Sequence, residues 1–76
     1  MENVYKTKDF YLSCALKSKG FEVVGTEKHD KTVHFIFKNH DDALLKKILT
    51  EFINMELDVN LKKYTFAMKD LRLMLN

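Results

Sequence analysis

A chain of 76 residues with a single cysteine, Cys14, has no covalent staple with which to hold itself shut. A domain this short buries only about 60% of its unfolded surface, and chains of its size commonly lean on disulfides, metals or a partner. No intrachain disulfide can form here, and one cysteine with three scattered histidines makes no metal-binding pattern. Apolar packing must therefore hold one core unaided, or a second copy must complete it. The lone cysteine also suits a reducing cytoplasm, which is the expected compartment.

Material for that core is present. Hydrophobic residues make up 46% of the chain and proline is absent, which marks a folded domain and not a disordered tail. No apolar run approaches the roughly 20 residues of a membrane span, and Met1-Glu2-Asn3-Val4-Tyr5-Lys6 lacks the apolar centre of a signal peptide. No membrane partner is expected. Without repeats, linkers or low-complexity stretches, residues 1–76 are expected to form a single domain.

Periodicity divides the chain into four segments. A first helix is predicted over Lys8–Lys19, with Thr7 as N-cap and Gly20 as the left-handed residue that ends it. Phe10, Tyr11, Leu12, Cys14, Ala15 and Leu16 cover most of its circumference and leave Asp9, Ser13 and Lys17 as a narrow polar strip. Such a helix packs on more than one side. A β-hairpin is predicted from Phe21–Glu27 and Thr32–Lys38, turning through Lys28-His29-Asp30-Lys31. Alternation puts Val33, Phe35 and Phe37 on its inner face, opposite Phe21 and Val23. Val24, His34 and Ile36 fall outside, beside Glu22 and Thr26. Two strands make a poor sheet, so either a third short strand (Val4–Lys6 or Glu56–Val59) or a second chain is expected to join.

A second helix is predicted over His40–Asn54, with Asn39 and Asp42 arranged like a capping box and Leu44, Leu45, Ile48, Leu49 and Phe52 as its apolar stripe. The last helix is predicted from Leu61 to Leu75, capped by Asn60, with Leu61, Tyr64, Met68, Leu71 and Leu75 facing the core. The expectation is an α+β domain of order α-β-β-α-α, its helices packed on one face of the hairpin.

The run Tyr5-Lys6-Thr7-Lys8-Asp9-Phe10-Tyr11-Leu12, then Lys19-Gly20-Phe21, Phe35-Ile36-Phe37 and Lys69-Asp70-Leu71-Arg72, resembles a family of short bacterial and phage-borne domains of unknown function. The resemblance covers nearly the whole chain. Where that pattern tends to have Asp-Pro before the last helix, this chain has Asn60-Leu61, and asparagine caps as well as aspartate. The resemblance implies no activity and carries over no catalytic or binding residue.

Tests for chemistry come back empty. His29 is placed in the hairpin turn, His34 on a strand and His40 before a helix, at spacings that match no zinc site. Cys14 lies on a largely buried helix, where it reads as a small core residue and not a nucleophile. Asp41 and Asp42 are adjacent, so on a helix they point about 100° apart, and their place at a helix start already accounts for them. Neither glycine belongs to a phosphate-cradling loop. No catalytic, cofactor-binding or metal-binding residue is assigned, and no enzyme activity is expected.

The surface is less bland. Residues 1–19 carry a net +2 and residues 60–76 a net +3, around a middle of −3. On the last helix Lys62, Phe66, Lys69 and Leu73 recur at i, i+4, i+7 and i+11, nearly opposite the core stripe. Two function classes fit. The first is a non-enzymatic protein-interaction module, able to pair with a copy of itself as a homodimer through Val24, Ile36, Phe66 and Leu73. The alternative is a nucleic-acid-binding accessory protein, with Lys6, Lys8, Lys62, Lys69 and Arg72 meeting phosphates and Lys17 and Lys19 in support. Against the alternative stand the eight acids of the middle and the lack of a helix-turn-helix signature.

Overall fold

The computed structural model describes residues 3–75, so Glu2, counted above in the N-terminal charge, lies outside them. The elements are β1 (Val4–Thr7), α1 (Phe10–Ser18), β2 (Val23–His29), β3 (Thr32–Lys38), α2 (Asp42–Ile53) and α3 (Leu61–Leu73). The class is α+β as expected, but the order is β-α-β-β-α-α. The N-terminal candidate supplies the third strand, and Glu56–Val59 forms none. The sheet runs β1-β3-β2 with both pairings antiparallel. β3, the most apolar strand, takes the centre, where a partner on each side satisfies its backbone; the short β1 and the irregular β2 take the exposed edges.

Register fixes the two faces of the sheet. Phe37 lies opposite Tyr5 and Val23, and Phe35 opposite Thr7, so these side chains share the core side. A bulge between Val23 and Gly25 then shifts β2 by one residue. Beyond it Thr26 pairs with Phe35, and Glu27 pairs with His34. Plain alternation had put Thr26 on the side of His34; the extra residue, Val24, reverses that parity. The hairpin is also tighter than expected. β2 continues to His29, and only Asp30 and Lys31 turn, with Asp30 at φ 56. A two-residue turn requires positive φ, which aspartate tolerates better than most residues.

α1 starts later than predicted because Thr7 is drawn into β1. Asp9 is the N-cap, its carboxylate accepting the Leu12 N–H at 3.0 Å, while Thr7 Oγ1 accepts the Asp9 N–H at 3.1 Å. The helix ends as expected on Gly20, at φ +98. There the Phe21 N–H returns to the Leu16 carbonyl and the Gly20 N–H to that of Lys17. This is a Schellman turn, and its usual apolar contact is supplied by Phe21 and Leu16, both in the core. Phe21 therefore belongs to the helix end and not to the strand that alternation assigned it.

Residues Leu12 to Leu16 are all buried. Five consecutive helical positions sweep more than a full turn, so the middle of α1 is enclosed on every side, between the sheet, α2 and α3, whereas Tyr11 at its start, expected among the packed residues, is 61% exposed. Ser13, assigned by periodicity to a polar strip, is 0% exposed. Its hydroxyl donates to the Asp9 carbonyl at 2.8 Å, so it needs no water.

α2 is capped by Asp41, which accepts the Leu44 N–H at 3.0 Å, and not by Asn39, whose amide instead donates to Asp42. Asn60 caps α3 as predicted, accepting the Lys63 N–H. The buried face of α3 is Tyr64, Ala67, Met68, Leu71 and Met74. Leu61 is 78% exposed and Leu75 is also exposed, contrary to the predicted stripe. Alanine carries little weight in a hydropathy stripe, yet it is the residue whose size allows two helices to come close. Ala67 lies buried in the core cluster on α3, the helix that packs most closely on α1.

α2 also closes with a Schellman turn. The Glu56 N–H meets the Glu51 carbonyl, the Met55 N–H meets that of Phe52, and Met55 holds φ 58. A side chain in that conformation costs about 1–2 kcal/mol relative to glycine. Met55→Gly is therefore expected to raise the unfolding free energy by about 1 kcal/mol, read from the urea midpoint of dilute protein.

Candidate interaction surface

The groups that carry chemistry are held in structural roles. Cys14 is fully buried, and burial pushes its thiol up from the ordinary range against a smaller opposing pull from Arg72. It is the wrong form for a nucleophile. Because the folded-state value is raised, the stabilising contribution is complete below the ordinary thiol pKa and declines as pH rises through the folded value. The folded protein is expected to resist a thiol-reactive dye at mildly alkaline pH and to react at once in denaturant.

Asp41 is occupied as a cap. Asp42 pairs with Lys46 at 3.0 Å, and that partner together with Asn39 holds its carboxyl below the usual range. The hairpin does bring His29 and His34 together, their rings 5.5 Å apart and edge to face, a proximity that depends on the two-residue turn. His29 Nε2 lies 3.2 Å from Glu27. Among the described residues no three histidine, cysteine or carboxylate side chains converge as a metal would require.

The proposed surface residues do not form one patch. Ile36, on the outer sheet face, is half-buried. Lys6 pairs with Ile36 in register, Glu27 pairs with His34, and the Lys6–Glu27 ion pair of 2.9 Å spans β3 between them. That bond holds the Glu27 carboxyl below its usual range, with His29 adding to the effect. The outer face is thus partly roofed by charge, less open than alternation implied. Val24 is exposed at the bulge.

Lys6 therefore serves the sheet and stands apart from the basic residues of α3. Lys8 is exposed in the loop before α1. The Arg72 guanidinium lies 5.9 Å from the centre of the half-buried Phe10 ring. At the other end of the same helix pair, Asn60 and Lys63 line an open cleft with Lys17, Ser18 and Gly20, so α1 and α3 run antiparallel. Lys17 approaches Asp70 at 3.9 Å.

The strip on α3 is where the sequence placed it. Phe66 is 54% and Leu73 74% exposed, and the Lys69 ammonium sits 5.6 Å from the centre of the Phe66 ring. Lys62 is exposed one turn before Phe66 on the same side. A second apolar area was not foreseen. Ile53, Met55 and Leu61 are all exposed around the link from α2 to α3. Beside them a groove of about 290 Å³ is lined by Ala15, Phe52, Met55, Leu57, Val59 and Tyr64. The alternation of Glu56-Leu57-Asp58-Val59, taken above for a strand, was its only sequence signal.

Among the described residues no helix is long and apolar enough to cross a membrane. The model of one family, described as a domain of unknown function (DUF5659), matches residues 2–76. No curated protein and no solved structure matches the chain.

Proposed function

This chain belongs to the DUF5659 family of domains of unknown function, and we propose that it is a non-enzymatic protein-interaction module of the cytoplasm. The observation that carries this reading is the outward strip of α3, where the exposed Phe66 and Leu73 alternate with Lys62 and Lys69. An aromatic ring held at 54% exposure keeps apolar surface in contact with water, and a partner that covered it would gain about 25 cal/mol per Å² of apolar area buried. The flanking ammonium groups favour a partner whose own apolar ridge is edged with acid. Burial of Cys14 and the capping role of Asp41 support the non-enzymatic half of the proposal, since both leave those groups spent on structure.

The test is capture of partners from a lysate by the parent chain and by a Phe66→Asp/Leu73→Asp variant, with nucleic acid titrated into each at low salt. The expected outcome is a defined protein retained by the parent and lost by the variant. Identical capture by both baits would sink the reading. A mobility shift of DNA or RNA that fades steeply with salt would replace it with the nucleic-acid alternative through Lys62, Lys69 and Arg72.

A further inference from the structure

The cleft between the end of α1 and the start of α3 gathers positive charge that the fold does not offset. Lys17, Ser18, Lys19, Gly20, Asn60 and Lys63 line it, and its volume is about 560 Å³. Three ammonium groups thus border one concavity, and among the described residues no carboxylate lines it. Lys19 and Lys63 enter no ion pair among the described residues. Lys17 has Asp70 as a partner, at 3.9 Å, from the depression alongside. That contact is long and its carboxylate exposed, so it ties Lys17 only weakly.

Helix polarity adds to the imbalance. Lys63 stands in the first turn of α3, which holds no acid, although the positive end of a helix favours acids there. At the end of α1 the carbonyls of Ala15, Leu16 and Lys17 already accept hydrogen bonds from Ser18, Lys19, Gly20 and Phe21. Their partial negative charge is spent on closing the helix.

We propose that this cleft binds the phosphoryl groups of a small ligand, a diphosphate or a phosphate ester of comparable charge. Lysines meet phosphate as point charges, and three around one hollow suit a multiply charged anion better than a single carboxylate. The volume lies within the ordinary range of small-ligand sites. Asn60 gives its side-chain oxygen to the Lys63 N–H and keeps its amide NH₂ as a donor. A nucleic-acid backbone fits less well, because these lysines ring one hollow and do not track a groove along the surface. None of these residues belongs to the outward strip of α3, so the two surfaces stand or fall separately.

Amide NMR of isotope-labelled protein, titrated with pyrophosphate and separately with adenosine diphosphate, tests the proposal. Saturable shifts are expected at residues 17–20 and 60–63. A tighter response to pyrophosphate would mark free polyphosphate as the source of the phosphoryl groups, and a tighter response to the nucleotide would mark a nucleoside diphosphate. Lys19→Glu and Lys63→Glu are each expected to weaken binding by about tenfold or more. Unfolding does not explain that loss, since glutamate at 63 completes a capping box with Asn60 and the urea midpoint should match or exceed the parent's. Lys31→Glu, the same change of net charge in the hairpin turn, is expected to bind as the parent does. The proposal is overturned if neither probe gives a saturable shift by about 10 mM, or if sulfate at equal ionic strength produces the same response. Equal weakening by Lys31→Glu also overturns it, as does an oligonucleotide that binds these residues when neither small probe does.

Discussion

The Phe37→Ala variant is expected to lose about 3–5 kcal/mol of stability, the usual cost of emptying a fully buried aromatic site. Phe37 is 0% exposed on the central strand, opposite both Tyr5 and Val23, and it belongs to the core cluster with Leu16, Phe21, Leu45 and Leu71. Neighbours from both edge strands and from the helices border the vacated space, and none can swing in without breaking its own ladder or packing. A domain of this length has about 4–11 kcal/mol to lose. The variant should therefore melt far below the parent, and at the low end of that range be largely unfolded at room temperature. Circular dichroism against urea checks this, with Phe66→Ala as a surface control expected to change stability by no more than about 0.5 kcal/mol.

The second large effect is expected at Ser13. On a polar strip, Ser13→Lys would be harmless. In the enclosed middle of α1 it places an ammonium group where no solvent-accessible surface exists. An uncompensated buried charge costs about 3–5 kcal/mol or forces its own neutralisation. Ser13→Ala should cost far less, since the Asp9 carbonyl that loses the hydroxyl still accepts the Ser13 N–H at 3.0 Å. A wide gap between the two variants in thermal melts would confirm that the Ser13 side of α1 is buried; near-equal melts would mean that it faces water.

Some of this was written locally and some was not. The α+β class, the three helices, the hairpin, the Asn60 cap and the left-handed Gly20 all depend on spacing and on single-residue preferences that act within a few residues, so they could be read directly. The outward strip of α3 was legible for the same reason: helical geometry alone sets Phe66 and Leu73 opposite Tyr64 and Leu71.

What alternation and stripe patterns could not reveal depends on contacts distant in sequence. Thr7 loses its expected capping role because β1 claims it for pairing with Phe35. One inserted residue at Val24 reverses the faces of half a strand, since a period of two has no tolerance for slippage. Ser13 is buried because three layers close around its helix, and Ala67 outranks Leu61 in the core because proximity between helices rewards small size. The groove at the α2–α3 link arises only once Ala15 and Tyr64 are brought beside Leu57 and Val59. Sequence thus determined which segments would be helix or strand and which helical face would be apolar. Tertiary structure decided which of those faces met one another, because burial is a property of neighbours that the chain acquires only on folding.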